Sequence, residues 1–144
     1  MKIYIGTDHA GFDLKETIKS HLISKGYTVE DLGAFEKVET DDYPDFVVPV
    51  AEKVSRDPES FGIVFGGSGE GESMATDRIL GIRTAVFYGG PLDVVKLSRE
   101  HNNANILSIG ARFVNEDEAI KAVDTFIETP FSGDERHIRR INKF

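Results

Sequence analysis

The stretch Gly62-Ile63-Val64-Phe65-Gly66-Gly67-Ser68-Gly69-Glu70-Gly71-Glu72 decides the fold class of this chain. Its first four residues form an apolar run, which predicts a buried strand over Gly62–Phe65. The glycine-rich segment Gly66–Gly71 follows at once, and the residues after it predict a helix over Glu72–Arg78. A buried strand that passes through a short turn into a helix is typical of α/β domains with a parallel sheet.

The same alternation of strands and helices continues on both sides of this stretch. The other predicted strands cover Lys2–Thr7, Thr28–Leu32, Thr84–Phe87 and Ile106–Ile109. The other predicted helices cover Phe12–Lys25, Phe46–Ser55, Leu92–His101, Glu116–Glu128 and Arg136–Phe144. Residues 1–144 are therefore expected to form one Rossmann-like domain, a three-layer α/β/α sandwich around a five-stranded, mostly parallel sheet.

Two of these helices carry specific local signals. Asn115 with Glu118 three residues later is typical of a capping pair, which predicts that the helix begins at Glu116. Pro49 falls within the predicted helix Phe46–Ser55. A proline is tolerated in the first turn, where amide protons have no intrahelical partner, and we expect Pro49 to lie there.

The composition narrows the class of function. The chain has 144 residues, of which 40% are hydrophobic and 10% aromatic, enough for an ordinary globular core. Its 17 basic and 25 acidic residues give a net charge of −8, which disfavours nucleic acid as a partner because phosphate contacts need a basic surface. No apolar run approaches the length of about 18 residues that a membrane span needs. Met1–Thr7 alternates like a strand rather than a secretory leader, so we expect a cytoplasmic protein with no membrane partner.

The chain contains no cysteine. Disulfides, cysteine-ligated metals and thiol-based catalysis are therefore excluded. Acid–base chemistry has to come from carboxylates or from the four histidines, His9, His21, His101 and His137. His21 lies beside apolar residues of its predicted helix and is assigned no role.

In folds of this class, ligands bind at the carboxyl ends of the parallel strands. Four predicted loops lie there: Asp8–Gly11, Gly66–Gly71, Tyr88–Pro91 and Gly110–Phe113. Glycines in the second loop allow backbone amides to face an anion beside a helix N-terminus. This loop has neither the Lys-Ser/Thr pair of a P-loop nor the spacing of a dinucleotide-binding loop. The alternative is a tight connection that binds nothing, in which Glu72 only complements the helix dipole.

Polar side chains elsewhere extend the set of candidates. His9 follows the first strand, where a functional and a purely structural histidine are both possible. The cluster His101–Asn105 is either part of a site or a simple helix terminus, which asparagine and histidine favour. Arg136 and Arg140 lie four residues apart on one helix face and, with Arg112, suit a phosphate. The alternative for the two helical arginines is a solvated basic face.

Taken together, these motifs resemble the ribose-5-phosphate isomerase type B family, which includes the galactose-6-phosphate isomerase subunits. The resemblance covers nearly the whole chain, and the motifs keep the family's order and spacing. They are Gly6–Lys15 (GTDHAGFDLK), Asp42-Tyr43-Pro44, Gly66–Glu72, Gly81-Ile82-Arg83, His101–Asn105, Gly110-Ala111-Arg112 and Arg136-His137-x-x-Arg140.

The resemblance implies an enzyme that interconverts an aldose phosphate and a ketose phosphate through a cis-enediolate, without a metal or cofactor. The leading substrate pair is ribose 5-phosphate and ribulose 5-phosphate. The resemblance further implies ring opening near His101 and Asp8. Enediolate contacts are implied for the backbone amides of Gly67, Gly69 and Gly71, with help from Ser68 and Asn102. Phosphate contacts are implied for His9, Arg112, Arg136 and Arg140, with Tyr43 lining the pocket.

One departure within the family bears on the identity of the base. Many members carry a cysteine as the base at the position of Gly66, and this chain has no cysteine. A second branch carries Gly-Gly-Ser-Gly-x-Gly-Glu and uses the glutamate, and Gly66–Glu72 matches that pattern position by position. The resemblance therefore implies Glu72 as the proton-transfer base, a common role for a carboxylate. Asp77 stands where the family usually has asparagine, which leaves the substrate preference open.

Family members are homodimers or dimers of dimers whose pockets are built from two chains. The resemblance therefore implies a homodimer or homotetramer with shared active sites. Arg136 and Arg140 are far in sequence from the catalytic loops and fit residues that reach across an interface. A six-carbon substrate, such as allose 6-phosphate or galactose 6-phosphate, is the alternative within this class of enzyme. A catalytically silent phosphosugar-binding subunit is the alternative outside it.

Overall fold

The computed structural model of the chain describes residues 1–144 and contains the predicted alternation of strands and helices. The five strands are β1 (Lys2–Thr7), β2 (Thr28–Asp31), β3 (Phe61–Gly66), β4 (Thr84–Phe87) and β5 (Ile106–Gly110). The six helices are α1 (Phe12–Ser24), α2 (Pro44–Arg56), α3 (Glu70–Thr76), α4 (Asp93–Asn102), α5 (Glu116–Glu128) and α6 (Glu135–Ile141). One turn of 3-10 helix, His9–Gly11, joins β1 to α1.

The strands form a single sheet in the order β2-β1-β3-β5-β4, and every neighbouring pair is parallel. Helices α1, α4 and α5 bury an apolar cluster against one face, with Phe65 and Phe126 among its largest side chains. Helix α2 covers the opposite face through a second cluster that includes Val47 and Val50, and α3 packs beside it. The predicted three-layer α/β/α class is therefore confirmed, with a sheet that is entirely parallel.

The register of the strands brings the predicted loops to one edge of the sheet. Thr7 at the end of β1 lies opposite Phe65 in β3, and Gly66 at the end of β3 lies opposite Gly110 in β5. The end of β4 pairs with the same part of β5. The loops that follow β1, β3, β4 and β5 therefore meet at the carboxyl edge, where open α/β sheets place their ligands.

Three helices begin earlier than the sequence predicts, and α6 does so by one residue, at Glu135. Helix α3 begins at Glu70 because Gly69 has a φ of +82°, a left-handed conformation that glycine adopts without steric cost. Helix α2 begins at Pro44, and proline is favoured at the first helical position. The expectation that Pro49 lies in the first turn is therefore wrong, because this residue lies inside the helix.

The predicted capping pair at α5 is confirmed. The Asn115 side chain accepts a hydrogen bond from the Glu118 amide at 2.9 Å, and the Glu118 carboxylate accepts one from the Asn115 amide at 2.9 Å. This reciprocal pairing starts the helix at Glu116, as expected. None of the helices combines the length and the apolar character needed to traverse a bilayer.

A buried lysine anchors the segment that leads from β2 towards the sheet edge. Lys15 in α1 has no solvent exposure, and its ammonium donates hydrogen bonds to the Asp31 carboxylate at 2.7 Å and to the Ala34 carbonyl at 2.9 Å. Burial disfavours the charge of Asp31, but hydrogen bonds from Lys15 and Lys19 outweigh this effect and hold its pKa below the usual value. The chain is thereby fixed before the loop that carries Tyr43.

Candidate active site

A cavity of about 490 Å³ lies at the carboxyl edge of the sheet, a size typical of small-molecule sites. The segments after β1, β3 and β5 form its walls, together with the residue before α2. Its lining residues are Asp8, His9, Ala10, Tyr43, Gly67, Ser68, Gly71, Glu72, Arg112 and Phe113. Most of the site residues expected from the sequence are therefore brought together in one place.

Glu72 is, with Asp8, one of two buried carboxylates of this cavity. It lies in the first turn of α3, and the residue is only 4% exposed. Burial raises the pKa of Glu72 above its usual value, and the charge of Asp8 raises it further, against hydrogen bonds from the backbone amides of Glu72 and Gly69. A carboxylate whose pKa is raised towards neutrality is well suited to accept a proton and return it.

The space that the Glu72 carboxylate occupies exists because residue 66 is a glycine. A Cβ atom on Gly66 would lie 1.8 Å from Glu72 Oε1 and 2.1 Å from Glu72 Cδ. Gly66 is the last residue of β3, so the carboxylate lies directly against the end of the central strand. The proposed base and the start of the glycine-rich loop are therefore in contact.

The loop between β3 and α3 is held by contacts on both of its sides. The Ser108 hydroxyl in β5 donates a hydrogen bond to the Gly69 carbonyl at 2.7 Å, which fixes the turn to the neighbouring strand. On the other side, a Cβ on Gly71 would lie 2.7 Å from the Tyr43 hydroxyl, so the tyrosine lies against the loop. Gly69 supports the turn without lining the cavity. Amides fixed in this way can stabilise negative charge that develops on a bound substrate.

A carboxylate that the sequence analysis does not single out organises the turn after β1. Asp41 Oδ1 accepts a hydrogen bond from the His9 backbone amide at 3.0 Å and lies 2.7 Å from His9 Nδ1. With Nδ1 as the donor in this pair, Nε2 is the ring nitrogen left for a ligand. Asp8 Oδ1 in turn accepts a hydrogen bond from the Ala10 amide at 3.0 Å.

The same three side chains have the spacing of a cation site. One ligand atom each from Asp8, His9 and Asp41 lie within 4.8 Å of one another. His9 Nδ1 and Asp41 Oδ1 are, however, already bonded to each other, so these two atoms serve an internal hydrogen bond. The arrangement therefore favours an oriented histidine over a set of free metal ligands.

Arg112 supplies positive charge at the mouth of the cavity. Its guanidinium lies 3.2 Å from the point where a Cβ of Gly67 would be, and the residue is exposed. Its backbone amide donates a hydrogen bond to the Gly67 carbonyl at 3.1 Å, which fixes the residue to the glycine-rich loop. Arg112 and His9 line the same cavity, and such donors suit a phosphate group.

The remaining expected site residues lie outside this cavity, and we refer to them as the C-terminal group: His101, Asn102, Arg136 and Arg140. His101 and Asn102 are the last two residues of α4, whereas Arg136 and Arg140 are exposed on α6. Helix α6 packs against α4. The chain therefore presents two sets of expected site residues, one in the cavity and one on this helix pair.

An apolar groove of about 810 Å³ adjoins the C-terminal group. It follows β4, which is an edge strand of the sheet, and Asn102 is among its lining residues. Leu80 and Phe144 line the groove and are 94% and 79% exposed. Apolar exposure of this extent is typical of a surface that another molecule covers.

Comparisons with known proteins agree over the whole chain. A family model described as Ribose/Galactose Isomerase matches residues 3–144. A ribose-5-phosphate isomerase B of Mycolicibacterium paratuberculosis is 44% identical over 142 residues, which cover 99% of this chain and 88% of that protein. The ribose-5-phosphate isomerase B of Escherichia coli is 38% identical over 140 residues, covering 97% and 91%.

Solved structures give the same result. A ribose 5-phosphate isomerase from Thermotoga maritima has a TM-score of 0.91 at 44% identity, covering 99% of this chain and 95% of that one. A ribose-5-phosphate isomerase B from Mycoplasma genitalium, solved with bound ribulose 5-phosphate, has a TM-score of 0.94 at 40% identity, covering 99% and 92%.

Proposed function

This chain belongs to the ribose/galactose isomerase family, and from that membership we propose that it is an aldose–ketose isomerase that interconverts ribose 5-phosphate and ribulose 5-phosphate. We propose that residues 1–144 act as one domain, in the cytoplasm. One observation in the chain carries the chemistry: a buried carboxylate with a raised pKa, Glu72, lies in a cavity that also holds a glycine-rich loop and a guanidinium.

The first step is the opening of the furanose ring. In ribose 5-phosphate the C1–O4 bond breaks while O1 loses a proton and O4 gains one. We assign these proton transfers to His101 and Asp8. Histidine suits both directions of transfer because its ordinary pKa lies near neutrality.

The second step moves a proton between two carbons. Glu72 removes the proton from C2, the electron pair forms the C1–C2 double bond, and the carbonyl oxygen O1 becomes negatively charged. Return of the proton to C1, with transfer of the O2 proton to O1, gives the ketose. The amides of Gly67, Gly69 and Gly71, with Ser68 and Asn102, are proposed to stabilise the enediolate oxygens. Because a base must be ionised, activity is lost as the pH falls through the raised pKa of Glu72.

The phosphate is proposed to be held by His9, Arg112, Arg136 and Arg140, with Tyr43 beside the sugar. A chain with a net charge of −8 repels an anion, so the cations have to be concentrated at the site. Forked guanidinium groups bind phosphate oxygens in pairs. These contacts fix one end of the substrate and leave C1 and C2 near Glu72.

We propose that the C-terminal group completes the cavity of a second copy, so that the enzyme is a homodimer or a homotetramer with shared active sites. Two observations support this assembly. The C-terminal group lies outside the cavity of its own chain, and the apolar groove beside it needs a covering surface. A two-fold dimer covers such a groove on both chains at once.

A mixing experiment tests the shared site. Glu72→Gln and His101→Asn are expected to be nearly inactive alone, because each lacks one part of every site. When they are unfolded together and refolded as a mixture, half of the dimers carry one site with both residues intact. Activity is expected to return to about a quarter of the wild-type value. Refolded single variants are the control, and a mixture no more active than they are would contradict sharing.

The substrate is tested by coupled isomerase assays on ribose 5-phosphate, allose 6-phosphate and galactose 6-phosphate. The highest kcat/KM is expected on ribose 5-phosphate, in line with the ribulose 5-phosphate bound by the Mycoplasma genitalium relative. A preference for either six-carbon sugar phosphate would replace this proposal with the alternative substrate. Tight binding of a phosphosugar without turnover would favour a silent binding subunit, against which the presence of Glu72, His101 and the arginines argues.

A further inference from the structure

A stacked pair of histidines joins the ends of α4 and α6. The ring centroids of His101 and His137 lie 4.3 Å apart, and the two rings are within 15° of parallel. His101 is the proposed ring-opening residue, whereas His137 has no assigned function. Parallel rings at this distance are in face-to-face contact, so the ring of His137 limits the rotamers that His101 can adopt.

The packing of His137 is not explained by stability. The residue is only 4% exposed, and its Nε2 atom is buried without a hydrogen-bond partner. The nearest carboxylate, that of Asp134, lies 3.9 Å from Nε2, which is too far for a hydrogen bond. A buried polar atom without a partner costs stability, and an apolar ring of similar shape avoids that cost. The contact that the structure does give this ring is its face-to-face stack on His101.

The surroundings favour the neutral form of the His137 ring. Burial lowers the pKa of His137, and the positive charges of His101, Arg136 and Arg140 lower it further, against the carboxylate of Asp134. A neutral ring can lie face to face with His101 whether or not His101 carries a proton. The stack of His137 on His101 therefore does not depend on a charge on the His137 ring.

The backbone around the stack is fixed independently of it. Asn103 ends α4 with a φ of +47°, and the guanidinium of Arg99, which is 6% exposed, donates hydrogen bonds to the Asn103 side chain and to the carbonyls of Ala104 and Thr129. The amide of Ser132 donates to the Glu100 carbonyl at 3.1 Å, which ties the segment before α6 to α4. These bonds fix the backbone and the Asn103 side chain, and none of them involves the His101 ring.

We propose that His137 is a positioning residue for ring opening, whose ring holds the imidazole of His101 in the orientation needed to transfer protons at O1 and O4 of the sugar. This inference rests on the proposed function, because it assumes that His101 opens the ring. It makes His137 necessary for turnover, although His137 is not among the residues proposed to contact the substrate. His137 acts through His101 and not through the enediolate step.

Ring opening can be separated from proton transfer by the choice of substrate. Ribose 5-phosphate is a furanose that has to be opened, whereas ribulose 5-phosphate is open because its 5-hydroxyl carries the phosphate. Exchange of the C1 protons of ribulose 5-phosphate with D2O, followed by proton NMR, reports enediolate formation alone. Turnover of ribose 5-phosphate reports both steps.

His137→Ala is expected to lower turnover of ribose 5-phosphate by about 10²-fold, the cost of a misplaced catalytic group, with C1 exchange unchanged. His137→Phe keeps a ring in the stack and is expected to restore most of the turnover. His21→Phe is the matched control, because His21 bonds Asp124 at 2.8 Å on the α1–α5 surface and is expected to change neither readout. Circular dichroism and urea unfolding verify that each variant is folded.

The proposal is overturned if His137→Ala retains wild-type turnover, if exchange falls in parallel with turnover, or if His137→Phe fails to restore turnover. His101→Ala separates this failure from failure of the proposed function. If His101→Ala loses turnover and keeps exchange while His137→Ala is fully active, only the positioning role is wrong. If His101→Ala keeps its turnover of ribose 5-phosphate, the ring-opening assignment itself is wrong.

Discussion

Replacing Glu72 by glutamine is expected to lower kcat for ribose 5-phosphate by about 10²–10⁴-fold, the usual contribution of a positioned base. Glutamine has the size of glutamate but cannot take a proton from carbon. The residue is buried against the end of β3, so the substitution keeps the packing and removes only the basic group. KM is expected to change little because the phosphate contacts lie elsewhere in the site.

Steady-state kinetics and C1 exchange from ribulose 5-phosphate both measure this loss. Both readouts should fall together, because Glu72 is assigned to the proton-transfer step. Glu70→Gln is the matched control, since Glu70 is an exposed residue of the same helical turn and should keep wild-type activity. A folded Glu72→Gln enzyme with near-wild-type kcat would show that the base lies elsewhere.

Replacing Gly66 by alanine is expected to lower kcat by about 10²-fold or more, although the new methyl group is not reactive. The added Cβ would lie 1.8 Å from Glu72 Oε1, closer than two such atoms can approach, so the carboxylate has to move. A displacement of about 1 Å at a catalytic group is enough for a loss of this size. Turnover of ribose 5-phosphate and C1 exchange should again fall together.

Two further variants interpret the Gly66→Ala result. Combining Gly66→Ala with Glu72→Ala removes the clash, so this double variant is expected to match the unfolding free energy of Glu72→Ala alone. Gly26→Ala adds a methyl group where no atom lies within 4 Å; its φ of +88° makes alanine destabilising there, but kcat of the folded enzyme is expected to be unchanged. A fully active Gly66→Ala enzyme would mean that the Glu72 carboxylate is not needed where the structure has it.

The order and type of the elements could be predicted because each has a strong local signal. The apolar run that became β3 and the Asn115 cap of α5 are read from neighbouring residues alone. The start of α2 was harder to predict from the sequence, because the hydrophobic pattern shows neither that Pro44 begins the helix nor that Pro49 is tolerated inside it. Packing of an apolar face against the sheet outweighs the cost of an internal proline.

The site was predicted less completely than the fold, because several of its contacts join residues that are far apart in sequence. Asp41 bonds His9 across 32 positions, and nothing in its acidic loop distinguishes it from its neighbours. Lys15 reads as an ordinary polar residue of an amphipathic helix, although its ammonium is fully buried on Asp31. Such roles follow from tertiary structure and leave no local pattern.

The contact between Gly66 and Glu72 also means that the residues at these two positions cannot be exchanged independently of each other. A cysteine at position 66 and a glutamate at position 72 compete for the same volume, so a chain with both residues would have to displace one of the two side chains. Shortening of residue 72 therefore has to precede or accompany any gain of a cysteine at position 66.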